Sequence, residues 1–124
     1  MARYKSGNLF FVILELSKVR ITVAVAFTTI TGYILASRDY NPGFLLPTLG
    51  IFFLACGSSV INHLQERHTD AMMLRTRQRP LPSHKISFLG AFSIALVETL
   101  AGGLVLFFSA GTEALLLGLL AMVW

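Results

Sequence analysis

Three long stretches of this chain carry almost no charge: residues 21–36, 42–63 and 86–110, the last broken only by Glu98. Each approaches or exceeds the roughly 20 residues needed to cross the hydrocarbon of a bilayer, which makes each a transmembrane helix by length and composition. The rest of the composition agrees. Hydrophobic residues make up 55% of the chain and mean hydropathy is +0.72. Charged residues are 13%, against about 25% in an ordinary soluble domain. Lipid is therefore the expected solvent, and the expected fold is an all-α integral membrane bundle forming one transmembrane domain over residues 1–124. A fourth apolar run begins at Ala114 and stops at Trp124. Such a run rises about 16 Å at 1.5 Å per residue, about half of a bilayer core, so three full spans, a truncated fourth and a continuing natural chain are expected.

The formal charge of +4 matters less than its placement. Arg3, Lys5, Lys18 and Arg20 precede the first span, Arg67, Arg75, Arg77, Arg79 and Lys85 lie between the second and third, and Arg38 stands alone in the first loop. The positive-inside rule then puts the N-terminus and the loop from Asn62 to Lys85 in the cytoplasm, with the Arg38 loop and the Glu113 turn outside. Cys56, the single cysteine, excludes an intrachain disulfide and reads as a small buried hydrophobe. Residues 9–16 resemble a signal-peptide core, but Glu15 interrupts them and no small-residue cleavage site follows, so an interfacial helix is expected.

Thr22, Thr28, Thr29, Thr31 and Gly32 in the first span, Gly57, Ser58 and Ser59 in the second, and Gly90, Gly102 and Gly103 in the third are small or hydroxylated residues that let membrane helices approach closely. Residues 39–43 compose a turn, Pro47 is a candidate kink, and Gly111 with Thr112 predicts the turn into the fourth run.

The stretch richest in chemistry is NHLQERHTDAMMLRTRQRPLP, residues 62–82. Asn62, Glu66 and Asp70 recur every four residues, so on a helix that runs past the membrane surface they share one face, drifting by about 40° per step. An amide and two carboxylates in a row suit Mg²⁺, a hard ion that keeps several waters and bridges to phosphate oxygens. Arg75, Arg77 and Arg79 follow, and Arg75 and Arg79 share a face if the segment is helical. Guanidinium groups match phosphate geometry. Pro80 and Pro82 end any helix. Carboxylates beside phosphate-binding arginines at a membrane surface suit an amphiphile with a polyphosphate head and an apolar tail, such as an isoprenoid diphosphate. Spacing alone also admits a blander account: a solvated helix end followed by a basic loop that topology already demands.

The full string is more specific. Asn62, Glu66 and Asp70, followed by Arg75, Thr76, Arg79 and Pro80, resemble the first aspartate-rich motif of the UbiA family of intramembrane prenyltransferases. Residues 70–81 are most similar to its haem O synthase group, and Lys18-Val19-Arg20 resembles that group's Lys-Pro-Arg. Glu66 stands where Asp is commoner, which lengthens the carboxylate's reach by one methylene. The resemblance implies Mg²⁺ and diphosphate at Asn62, Glu66 and Asp70, and diphosphate oxygens at Arg75 and Arg79, with Arg20 and Lys18 as further candidates. It implies transfer of a farnesyl group from farnesyl diphosphate to a vinyl group of haem b, in a bacterial inner membrane. The family's second aspartate-rich motif is absent from these residues, so the chain alone is expected to be inactive. Another UbiA-type aromatic prenyltransferase of quinone biosynthesis shares the same first motif. A small transporter or assembly subunit is the reading from a different class, disfavoured because ionisable residues cluster at one surface rather than along the spans.

Glu98, mid-span, is a functional candidate by its depth, and a carboxyl hydrogen-bonded to neighbouring helices is the alternative. His63 and His68 flank the motif, where haem ligation competes with the ordinary presence of His at a wetted membrane edge. The Phe pairs 10–11, 52–53 and 107–108 suit lipid contact or a prenyl groove.

Overall fold

In hydrocarbon each backbone amide must find its partner within the protein, and an uncharged run of 20 residues does so most simply by coiling. The computed structural model describes residues 9–38 and 42–123. Arg3, Lys5, Trp124 and positions 39–41 of the expected first turn lie outside the described residues. Among the described residues four α-helices make up most of the structure: α1 (Leu9–Leu16), α2 (Val19–Ser37), α3 (Leu45–Met72) and α4 (Phe88–Val123). The last three are long and apolar enough to cross a membrane. This is an all-α membrane protein, as its apolar runs predict.

Central to the bundle is α3. Its 28 residues rise about 42 Å, some 12 Å more than a hydrocarbon core needs, so one end projects beyond the membrane zone. A short 3₁₀ turn, Pro42–Phe44, leads into it. Pro47, a candidate kink, falls in its first turn, where a missing N–H deprives no carbonyl, and α3 continues through it as one helix.

Against α3 lies α4, at backbone contact. A Cβ built on Gly102 would stand 2.7 Å from the Gly50 carbonyl and 2.8 Å from the Leu54 nitrogen, and one on Gly50 would stand 3.0 Å from the Leu106 nitrogen. Of the small residues the sequence singles out in these spans, Gly57 and Gly102 lie at this contact, whereas a Cβ on Gly90 would meet only Ile86 and Ser87 of the preceding turn. At Gly111 (φ 89°, ψ −178°) α4 breaks, in a region that essentially only glycine occupies. The limb beyond it turns back along α3, so that Gly118 abuts Leu54 and Leu106. This is the expected short fourth run.

The first span behaves differently. Thr28, Thr29 and Thr31 of α2 return their hydroxyls to carbonyls four residues back at 2.9 Å, and nothing stands within 4 Å of a Cβ on Gly32. Only Thr22 of α2 is buried. The close-packing surface expected of this span is thus open to its surroundings. At the arginine-rich end, Val12 and Leu16 of α1 join Val60, Leu64, Leu81, Ala91 and Ala95 in the main apolar cluster. There α1 and the loop after α3 both close over the bundle.

Candidate functional site

Because α3 continues to Met72, Asn62, Glu66 and Asp70 stand on its last turns, one above the next. Their surroundings differ because of the 40° drift. Asn62 is exposed and lines a cavity. Glu66 is exposed one turn beyond. Asp70 has rotated toward the following loop and is 4% exposed.

That loop explains the burial. Thr76 Oγ1 donates to the Asp70 carbonyl at 2.9 Å, capping the end of α3. Turns that begin at Arg79 and Pro80 follow, closed by amides of Ser83 on the Arg79 carbonyl (3.0 Å) and of Lys85 on the Pro80 carbonyl (2.9 Å). Pro80 and Leu81 are buried against the bundle. This brings Arg79 back over α3, where its Nη1 donates to Asp70 Oδ1 at 3.1 Å and Oδ2 at 2.9 Å and lies 3.7 Å from Glu66 Oε2. Segment 73–85 is a chain of turns rather than a helix, so Arg75 and Arg79 share no helical face. Arg75 is exposed, whereas Arg79 faces the acidic pair.

The cavity has a volume of about 680 Å³ and lies between α2, α3 and the last limb of α4. Lys18, Ser58, Ser59, Asn62 and Gln65 make the wall at its arginine-rich end. Ile21, Val25, Ile51 and Leu54 continue it toward the middle of the bundle, and Gly118 and Met122 close the third side. From Ile51 to Gln65 it follows α3 for about 21 Å. It is an apolar trough with a polar mouth.

The structure therefore gathers Glu66, Asp70 and Arg79 into one ion-paired group, sets Asn62 and Lys18 together in the cavity wall, and leaves Arg20 and Arg75 exposed and outside both. Asn62 and Glu66 offer hard oxygen donors one turn apart on an exposed face. Such a set fits Mg²⁺, which takes one or two carboxylates and retains waters. Among the described residues no cluster of three His, Cys, Asp or Glu side chains forms a closed metal cage.

Gln65 and Ser58 escape the pattern-based reading. Their signal is weak but real: Gln65 is three residues from Asn62 and Ser58 four, so both neighbour it on α3. His63 is 3% exposed with neither ring nitrogen hydrogen-bonded, and His68 is exposed; neither lines the cavity. The Phe pairs also lie outside it, packed edge to face with each other instead.

In sequence the chain is similar to known proteins. The chain is 40% identical over 91 residues to Protoheme IX farnesyltransferase 1 of Pseudomonas fluorescens, covering 72% of this chain and 30% of that protein. It is 40% identical over 97 residues to Protoheme IX farnesyltransferase of Nitrosococcus oceani, covering 77% and 32%. With the protein of that name from Cytophaga hutchinsonii, identity is 34% over 111 residues, covering 88% and 39%. The matches thus span about a third of the length of these relatives. No solved structure matches. The UbiA prenyltransferase family profile matches residues 25–124, spanning α3, its acidic end and the loop that covers it; the chain belongs to the UbiA prenyltransferase family.

Proposed function

We infer that this chain is part of a haem O synthase, transferring a farnesyl group from farnesyl diphosphate to a vinyl group of haem b. One observation carries this reading. An apolar trough has its polar wall at Lys18, Asn62 and Gln65, one turn from the Glu66–Asp70–Arg79 group, which suits a ligand with an apolar tail and a polyanionic head. The names of the relatives specify farnesyl and protohaem.

In this reading the isoprenoid tail lies along Ile21, Val25, Ile51 and Leu54, which exclude water from the allylic carbon. Lys18 and Asn62 hold the diphosphate at the mouth, where an ammonium and an amide supply hydrogen bonds to its oxygens. Asn62, Glu66 and Asp70 are the proposed Mg²⁺ residues; when bound, Mg²⁺ would neutralise the diphosphate as the carbon–oxygen bond breaks. Arg79 holds the two carboxylates in register and spares their mutual repulsion. Arg75 and Arg20, exposed and outside the cavity lining, add positive potential at this end of the bundle. The concentration of Lys and Arg at this end argues for a cytoplasmic orientation in a bacterial inner membrane.

The test is to incubate the full-length protein with farnesyl diphosphate and either haem b or 4-hydroxybenzoate, with and without Mg²⁺, and to identify products by mass. Farnesylated, hydrated haem formed only with Mg²⁺ supports the reading. A prenylated benzoate with untouched haem would replace it with a quinone-pathway enzyme, and no product from either acceptor would remove the enzyme assignment.

A further inference from the structure

Glu98 sits mid-span in α4 and does not line the cavity. An acidic side chain at that depth is costly to keep and is normally turned toward the bundle interior for a purpose. Its hydrogen-bond partner is distant in sequence: Ser17 Oγ donates to Glu98 Oε1 at 2.9 Å. Ser17 is 3% exposed and stands at the corner between α1 and α2.

The residues on either side of Ser17 are held as firmly. The carbonyl of fully buried Leu16 accepts Ser59 Oγ from α3 at 2.8 Å. Lys18 adopts φ 46°, ψ 56°, a left-handed conformation that a residue with a Cβ avoids unless its surroundings impose it. In that conformation its carbonyl receives the amides of Ile21 (2.8 Å) and Thr22 (3.1 Å), which start α2. Lys18 lines the cavity, as Asn62 does, and it is the one cation among the described lining residues. A corner clamped by α3 at Leu16 and by α4 at Ser17 thus holds a lysine in the cavity wall.

The geometry points to Glu98 as a positioning residue: acting through Ser17, it fixes the corner 16–18 in the left-handed backbone that sets the Lys18 ammonium at the cavity mouth, against the anionic head of a prenyl diphosphate. This rests on the diphosphate reading of the cavity given above. An amide oxygen can accept the Ser17 hydrogen bond as a carboxyl does, and a methyl group cannot, so Glu98→Gln preserves the clamp and Glu98→Ala releases it.

The experiment uses purified full-length protein with Mg²⁺ and radiolabelled farnesyl diphosphate, measuring Kd, KM and kcat alongside hydrogen exchange of the Ile21 and Thr22 amides. Glu98→Ala should weaken Kd and raise KM about tenfold, the scale of losing one charge-assisted hydrogen bond, with little change in kcat. It should also speed exchange at both amides. Glu98→Gln should restore affinity and slow exchange, and Glu98→Ala should add nothing to the defect of Lys18→Ala. If Glu98→Ala fails to fold, Ser17→Ala removes the same bond and should give the same KM effect. Faster exchange with unchanged affinity would overturn the proposal, as would unchanged exchange in a folded Glu98→Ala protein. Failure of wild-type protein to bind farnesyl diphosphate would overturn the diphosphate reading and the role of Lys18 with it, while the exchange contrast would still separate that failure from failure of the clamp.

Discussion

Asp70 is buried to 4% exposure because one arginine meets both its oxygens, and the same nitrogen reaches Glu66. Arg79 therefore organises the acidic pair and, through its backbone, the turns that carry it. Arg79→Ala strands the Asp70 charge. The cost is about 1–3 kcal/mol, below the roughly 3–5 of a fully buried pair because the Arg79 side chain is 28% exposed. The loop should loosen, and trypsin should cut at exposed Arg75 and Arg77 faster than in the wild-type protein. An unchanged cleavage rate would show that Pro80 and Leu81 hold the loop without the ion pair. Asp70→Asn keeps the shape but removes the charge; in the full-length protein it should lower prenyl transfer at least about 100-fold, the scale of losing an electrostatic interaction in an active site, with membrane insertion intact. Wild-type turnover by that variant would remove Asp70 from the site. The i, i+4, i+8 spacing made all three α3 positions legible from sequence. It could not show that Asp70 turns away from Asn62 toward Arg79, because that depends on where a loop of turns comes to rest.

The helices themselves divide glycines into two kinds that sequence cannot separate. Gly102 lies where α3 and α4 touch, with the Gly50 carbonyl 2.7 Å from the place a Cβ would take, whereas nothing lies within 4 Å of that place on Gly32. Gly102→Ala should therefore destabilise the chain by about 1–3 kcal/mol through overpacking. Gly32→Ala should stabilise it by about 0.5–1 kcal/mol through helix propensity. Denaturation in mixed detergent, followed by circular dichroism, would measure both. Equal effects of the two would mean that α3 and α4 do not meet at Gly102. Small residues mark each span as able to pack closely, but which of them meet a neighbour depends on helix pairing, a long-range property. The break in α4 was more legible, since Gly111-Thr112 divides two apolar runs and the φ of 89° at Gly111 suits a residue without a Cβ.

At the scale of the molecule, chemistry and charge lie at one end and lipid-compatible surface covers the rest. Lys18, Arg20, Arg67, Arg75, Arg77, Arg79 and Lys85 all stand at the end that carries the polar wall of the cavity, and Arg38 stands at the other. Spans, their order and this asymmetry follow from composition, because the bilayer imposes them on any sequence. The cavity does not, because it needs the last limb of α4 to fold back along α3 and face α2 across the cavity. The asymmetry makes a direct prediction about orientation. Cys56 is buried and is the single thiol, so in a Cys56→Ala background a new cysteine reports its own side of the membrane. Ser83, in the arginine-rich loop, and Thr112, after the break in α4, are both exposed. In intact cells a membrane-impermeant maleimide should label Thr112→Cys at once and Ser83→Cys only after permeabilisation. The reverse pattern would put the cavity mouth outside the cell, away from any cytoplasmic supply of a prenyl diphosphate, and the proposed reaction would have to be abandoned even with the fold unchanged.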